Sequence, residues 1–260
     1  AGATKDATTG VLLYQEGATL AYFKGNANYT GTIAVTIPAG IPGSPTIWRG
    51  FTTTLTDNGQ ATFAPSSLVA SNFISNAAYT EFDNITLEGT GGSFFVSTGF
   101  KSVGSPGVYK NDIVNHFVTS GYDSTQSNIR YINSVAENGK AACATGFTTS
   151  GSNLYIGSVA TGNPCTGFKS TGSGAISTYI HCIAYANSGA TSHGFDMTGT
   201  TVNTGGTFIN DVAYNNGGAG IHCNAALSCD GLTVINPILE NNGTYGINSV
   251  VTNWAGNLPI

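Results

Sequence analysis

Lys169, Asp196 and His222 are the residues whose types and spacing could do chemistry. Each stands two places after a glycine (Gly167, Gly194 and Gly220) that precedes a large apolar residue. Thr148 and Asn248 hold the same place after Gly146 and Gly246. Equivalent places in successive turns of a stacked chain lie about 4.8 Å apart, which puts Asp196 between Lys169 and His222. A carboxylate flanked by a cation and a titratable imidazole has the parts of general acid–base catalysis. The same column also reads as a surface charge ladder, worth about 0–1 kcal/mol per pair. The ladder is the favoured expectation, because no second carboxylate is placed for glycosidase work. His193, three residues before Asp196, is expected near a bend and outside the column.

What would position such a column is a repeat. Ile132, Ile156, Ile180, Ile209 and Ile235 recur at steps of 24, 24, 29 and 26 residues. Gly146-Phe147, Gly167-Phe168, Gly194-Phe195, Gly220-Ile221 and Gly246-Ile247 follow at steps of 21, 27, 26 and 26. A period near 25 without helical patterning points to a β-solenoid in which each repeat is one coil. The spacing places regular coils over 81–249, a cap with less regular coils over 1–80, and a tail over 250–260, all in one domain spanning 1–260. Early strands are expected at Leu20–Phe23, Ile33–Ile37, Thr46–Trp48 and Ala61–Phe63. Asp6 is read as capping a short N-terminal helix over Ala7–Glu16 that plugs the solenoid end.

Side chains alternate along a strand, so only one phase can face the core. The Ile column is placed inside, with the following Val or Ile also inside past a bend. That turns Tyr131, Tyr155, Tyr179 and Phe208 outward as a ligand-binding ladder for sugar rings or a neighbouring protein. The opposite phase, with the aromatics packed inside, stays open at this point. Asn133, Asn210 and Asn236 share a bend column, with Asn115 as its fourth member. A second column of Asn138, Asn187, Asn215 or Asn216, and Asn241 or Asn242 reads as turn chemistry.

Five cysteines show no CxxC pair, so no metal site and no cofactor is expected. Cys143 and Cys165 fall in adjacent columns one coil apart, a placement suited to a disulfide. Cys223 and Cys229 could close a small loop, and Cys182 is left as a small buried hydrophobe. Disulfides place the chain in an oxidising, extracellular setting. Net charge −5 with only two arginines argues against a nucleic-acid partner. No apolar run is long enough to span a bilayer as a helix. Ala1 is read as a processed or trimmed start.

Phe208-Ile209-Asn210-Asp211-Val212-Ala213-Tyr214-Asn215-Asn216 with Gly220-Ile221 resembles a coil of the right-handed parallel β-helix proteins of the pectate-lyase-like superfamily. So does Val234-Ile235-Asn236-Pro237-Ile238-Leu239-Glu240-Asn241-Asn242 with Gly246-Ile247. Upstream, Gly17-Ala18-Thr19-Leu20-Ala21-Tyr22-Phe23-Lys24-Gly25, Ile37-Pro38-Ala39-Gly40 and Pro45-Thr46-Ile47-Trp48-Arg49-Gly50-Phe51-Thr52-Thr53-Thr54 are similar to segments that recur in such proteins. The resemblance implies an all-β, single-stranded right-handed parallel β-helix. It covers polysaccharide lyases, glycoside hydrolases, phage tailspikes and virion surface proteins alike, so it does not choose an activity.

Polygalacturonase-type members carry clustered aspartates with Gly-His-Gly and Arg-Ile-Lys, and none of these is present. The resemblance to pectate lyases implies an acidic calcium cluster beside a basic residue, yet the 13 acidic residues are scattered. Arg49 and Arg130 lie far from any acidic cluster in sequence. The sequence therefore leads to a non-enzymatic structural or binding protein on a phage virion surface, a decoration or tailspike-type homotrimer whose partner is a glycan or another virion protein. The alternative is an extracellular polysaccharide lyase or glycoside hydrolase. An ice-binding solenoid ranks last, since the threonines form no regular column.

Overall fold

A computed structural model describes residues 4–5, 12–13, 20–24, 35–37, 39–54, 57, 59–64, 74–89, 98–198, 206–223 and 231–249. Among them the chain is all strand and turn. Three parallel sheets run through the described residues, and from Thr46 onward each coil contributes one strand to each sheet. Sheet I has nine strands, from Leu20–Lys24 to Thr233–Ile235. Sheet II has eight, from Ala61–Phe63 to Ile238–Glu240, and sheet III has nine, from Val35–Ile37 to Ile247–Ser249. The early strands pair in register with the later ones, Trp48 with Phe82 and Phe63 with Leu87, so the solenoid is continuous through them. The expected N-terminal helix is corrected. Leu12–Leu13 form a strand antiparallel to Thr4–Lys5, and the remainder of 7–16 and the tail 250–260 lie outside the described residues.

The phase of the repeat is the reverse of the expectation. Tyr131, Tyr155, Tyr179 and Phe208 are at most 1% exposed and point inward from sheet I. Ile132, Ile156, Ile180 and Ile209 are only partly buried, and Ile235 is 44% exposed. Past the bend, Ile183 and Ile238 also face outward. The reason is space and spacing. Sheet II presents Ala136, Ala160, Ala184 and Ala213 to the interior, which leaves room for rings from the other two sheets. Rings within a column stack at 4.6–5.3 Å, close to the coil repeat. The two ring columns meet edge to face, as Phe147 does with Tyr155 at 5.7 Å and 89°. Such pairs are worth about 0.5–1.5 kcal/mol beyond burial.

Buried phenols need partners, and the sequence supplies them. The Tyr122 hydroxyl donates to the Asp112 carbonyl at 2.9 Å. Ser124, Thr149 and Ser177 set hydroxyls beside the phenols of Tyr131, Tyr155 and Tyr179.

The asparagines divide into two kinds. Asn111, Asn133, Asn210 and Asn236 sit between sheets I and II with φ of 48–55°, the left-handed region that Asn tolerates. The fourth member is therefore Asn111, whereas Asn115 lies in sheet II opposite Glu137. After sheet II, Asn138, Asn215 and Asn241 also take positive φ. The next residues, Asn163, Asn187, Asn216 and Asn242, point inward as an amide ladder. Asn187 Nδ2 donates to Asn216 Oδ1 at 2.8 Å, and Asn216 Nδ2 to Asn242 Oδ1 at 2.9 Å.

Candidate functional site

The outward side of sheet III carries one continuous column. Reading along the solenoid, Lys101, Asp123, Thr148, Lys169, Asp196, His222 and Asn248 are successive register partners. The inward neighbours Phe147, Phe168, Phe195 and Ile221 anchor these strands in the core. Strand alternation then sends the next residue of each strand outward. Lys169, Asp196 and His222 are thus brought together as the glycine spacing predicted.

Within the column the contacts are specific. His222 Nδ1 lies 2.9 Å from Asp196 Oδ1, and Thr198 Oγ1 donates to Asp196 Oδ2 at 3.1 Å. A carboxylate accepting from Nδ1–H holds the neutral ring in that tautomer and leaves the Nε2 lone pair free to take a proton. Asp196 is buried, at 5% exposure, while His222 is partly open. An oriented imidazole held by a buried carboxylate has the geometry that general-base chemistry needs. Lys169, one rung away, supplies a cation and makes no ion pair among the described residues.

His193 lies outside the column, as expected, but it is not remote. Its ring stacks on His222 at 3.8 Å and 12°. Its Nδ1 accepts from the Ala219 backbone N–H at 2.9 Å. Burial first, then the neighbouring His222 imidazole, pushes the His193 imidazole down to about 4. Gly218 makes room for this stack, since a Cβ there would lie 2.6 Å from His193 Nδ1.

The other nominated residues fall elsewhere. Tyr131, Tyr155, Tyr179 and Phe208 are core and cannot meet a ligand in the folded chain. Cys143 and Cys165 bring their Sγ atoms to 2.9 Å across adjacent coils. Cys223 is disulfide-bonded, Cys182 is a buried free thiol, and Cys229 lies outside the described residues.

Two charged groups escaped the sequence reading. Arg49 bonds Asp83 at 3.0 Å and lies 3.8 Å from Glu81, and Lys110 also approaches Asp83. Distance along the chain concealed this, because residues one coil apart are neighbours. His116 Nδ1 lies 2.8 Å from Glu88 Oε1, and Asn115 Nδ2 donates to Glu88 Oε2 at 2.9 Å. The coil-length separation of Glu88 and His116 was the signal available for it.

The column does not fit a calcium ion. Calcium takes six to eight oxygen ligands, typically several of them carboxylate. Asp196 is the lone carboxylate within two rungs of His222 in the column, and both its oxygens are engaged by His222 and Thr198. Among the described residues no group of three or more His, Cys, Asp or Glu is placed to hold a metal.

No protein-family model matches the chain, and no curated protein does. Among solved structures it is similar to pectate lyase Pel9A, with a TM-score of 0.63, 20% identity, and coverage of 78% of this chain and 58% of that one. The A-module of the Azotobacter vinelandii mannuronan C-5 epimerase AlgE4 matches with a TM-score of 0.39 and 12% identity over 91% of this chain and 90% of that one. The chain therefore spans a little over half the length of the pectate lyase. The pectate-lyase-like β-helix fold is shown. The expectation of a non-enzymatic virion-surface protein is corrected on two counts: the similar fold belongs to an enzyme, and the aromatic ladder meant to bind glycans lies in the core.

Proposed function

We propose that this chain cleaves an acidic polysaccharide by β-elimination, outside the cell. The observation that carries the reading is the 2.9 Å bond from Asp196 to His222, with Lys169 on the next rung. His222 Nε2 takes the proton at C5 of a uronate unit. Lys169 lies against the uronate carboxylate and offsets the negative charge that spreads onto it. The bond from C4 to the glycosidic oxygen then breaks as the C4–C5 double bond forms. Protonated His222 returns its proton to the leaving oxygen, so the ring ends neutral. Asp196 holds the ring in register throughout.

Elimination is favoured over hydrolysis by carboxylate spacing. Asp123 is the next carboxylate in the column, three rungs from Asp196, or about 14 Å. Paired-carboxylate glycosidases need about 5–9.5 Å. The fold of pectate lyase Pel9A makes polygalacturonate the first substrate to try. Its cleavage is read as the ultraviolet absorbance of the unsaturated end. His222→Ala is expected to lose about 100-fold or more in kcat, and Lys169→Ala to raise KM for the anionic chain. If neither polygalacturonate nor another uronate polymer yields an unsaturated product, or if His222→Ala is fully active, the reading is wrong.

A further inference from the structure

The outward side of sheet II carries a second column, in register order Asn115, Glu137, Thr161, Tyr185, Tyr214 and Glu240. Tyr185 and Tyr214 stack at 5.6 Å and 14°, and Tyr185 is 43% exposed. These are surface rings, unlike the buried ladder. One face of Tyr185 is covered by Tyr214. The other looks over Thr161, whose side chain is far too short to cover a ring. Gly162 follows Thr161 with φ of +64° and adds no side chain. A gap one rung wide results. Its floor is Thr161 and Gly162, one wall is the Tyr185 ring, and the opposite wall is Glu137 and Asn138.

From Tyr185 to Glu137 is two rungs, about 9.6 Å. That span admits one pyranose ring stacked on the tyrosine, with its hydroxyls turned to a carboxyl and an amide. We propose that this gap is a binding subsite for a chain of neutral pyranoses, separate from the His222 column. The flat apolar wall fits the C–H face of a sugar, and Glu137, Asn138 and Thr161 offer hydroxyl partners. Charge sets the class. Glu137 stands in the gap, Glu88 is two rungs from it, and Glu240 follows Tyr214. Carboxylates on this face repel a uronate, whereas an uncharged polyol hydrogen-bonds to them. Burial and the Glu88 charge also raise the Glu137 carboxyl, which suits it to exchange hydrogen bonds with hydroxyls.

The subsite lies on a different sheet from His222 and does not rest on the elimination reading. Calorimetric titration of the whole chain with neutral gluco-, manno- and galacto-oligosaccharides, and with oligogalacturonate as the anionic control, tests it. Binding of at least one neutral series is expected. Tyr185→Ala is expected to weaken it about tenfold. Thr161→Tyr, which extends the ring stack and fills the gap without emptying any core position, is expected to abolish it. His222→Ala should bind neutral chains as the wild type does. Failure of the wild type to bind any neutral series overturns the subsite, and so does undiminished binding by Thr161→Tyr. Binding of oligogalacturonate alone, lost in His222→Ala, would overturn the subsite and leave the elimination reading standing.

Discussion

Asp196 and Asp211 show how one residue type takes two roles on one scaffold. Asp196 faces outward, partnered by His222 and Thr198. Asp211 is buried at the bend between sheets I and II, where it accepts from the backbone N–H of Cys182 at 2.6 Å and of Ile209 at 2.9 Å. Burial raises its carboxyl to about 7 despite those two donors. In the unfolded chain an aspartate titrates near 3.9. Between about pH 4 and 7 the folded chain thus holds a proton that the unfolded chain has lost, and stability falls as pH rises through that window. Asp211→Asn removes the titration. The stability gap between wild type and variant should shift toward the wild type by up to about 4 kcal/mol on going from pH 7 to 4. Urea unfolding at the two ends of the window measures it, and a gap independent of pH would refute the assignment. Nothing in the sequence separates these two aspartates by type. Asp196 was legible as a column member from its distance to Gly194, but its bond to His222 and the ring of His193 laid over that histidine depend on rotamers and on how the turn at Gly218 folds.

Short strands make each coil, with a two-residue bend between sheets I and II in the regular coils, and the Asn columns show what a bend demands. Asn210 adopts φ of 55°, is exposed, and bonds the His181 ring at 3.0 Å. Asn216 is buried and carries the internal ladder, accepting from Asn187 and donating to Asn242 and to the Ala184 carbonyl. The two substitutions should therefore separate cleanly. Asn210→Gly keeps the backbone angle and is expected to change stability by less than about 1 kcal/mol. Asn216→Ala strands the Asn187 backbone and side-chain donors and is expected to cost about 1–3 kcal/mol. Equal effects in chemical denaturation would show that the ladder contributes no more than the bend. The sequence displayed Asn in both columns but merged Asn187 with Asn138, because adjacent residues of one turn have opposite directions that composition does not encode.

Along the whole molecule each coil touches only its neighbours, so stability is local and uneven. The described coil at 233–249 leaves its inward residues Val234, Leu239 and Ile247 only partly buried, whereas the coil around Tyr155, Ala160 and Phe168 buries its inward residues fully. Amide exchange of Tyr155, Ala160 and Phe168 should be slower than that of Val234, Leu239 and Ile247 by at least about tenfold. Uniform protection, measured by exchange mass spectrometry, would instead show the solenoid opening as one unit.

By itself the sequence determined the solenoid, its period and the column joining Lys169, Asp196 and His222. These follow from glycine and apolar spacing, and register carries spacing directly into neighbours. Only the tertiary structure decided which phase faces the core. A strand three residues long alternates equally well with Tyr or Ile inward. The choice falls to the volume left by the alanines of sheet II and to hydroxyl partners contributed by other strands. The same decision moved the aromatic ladder inside and left Tyr185 and Tyr214 as the paired rings at the surface of sheet II.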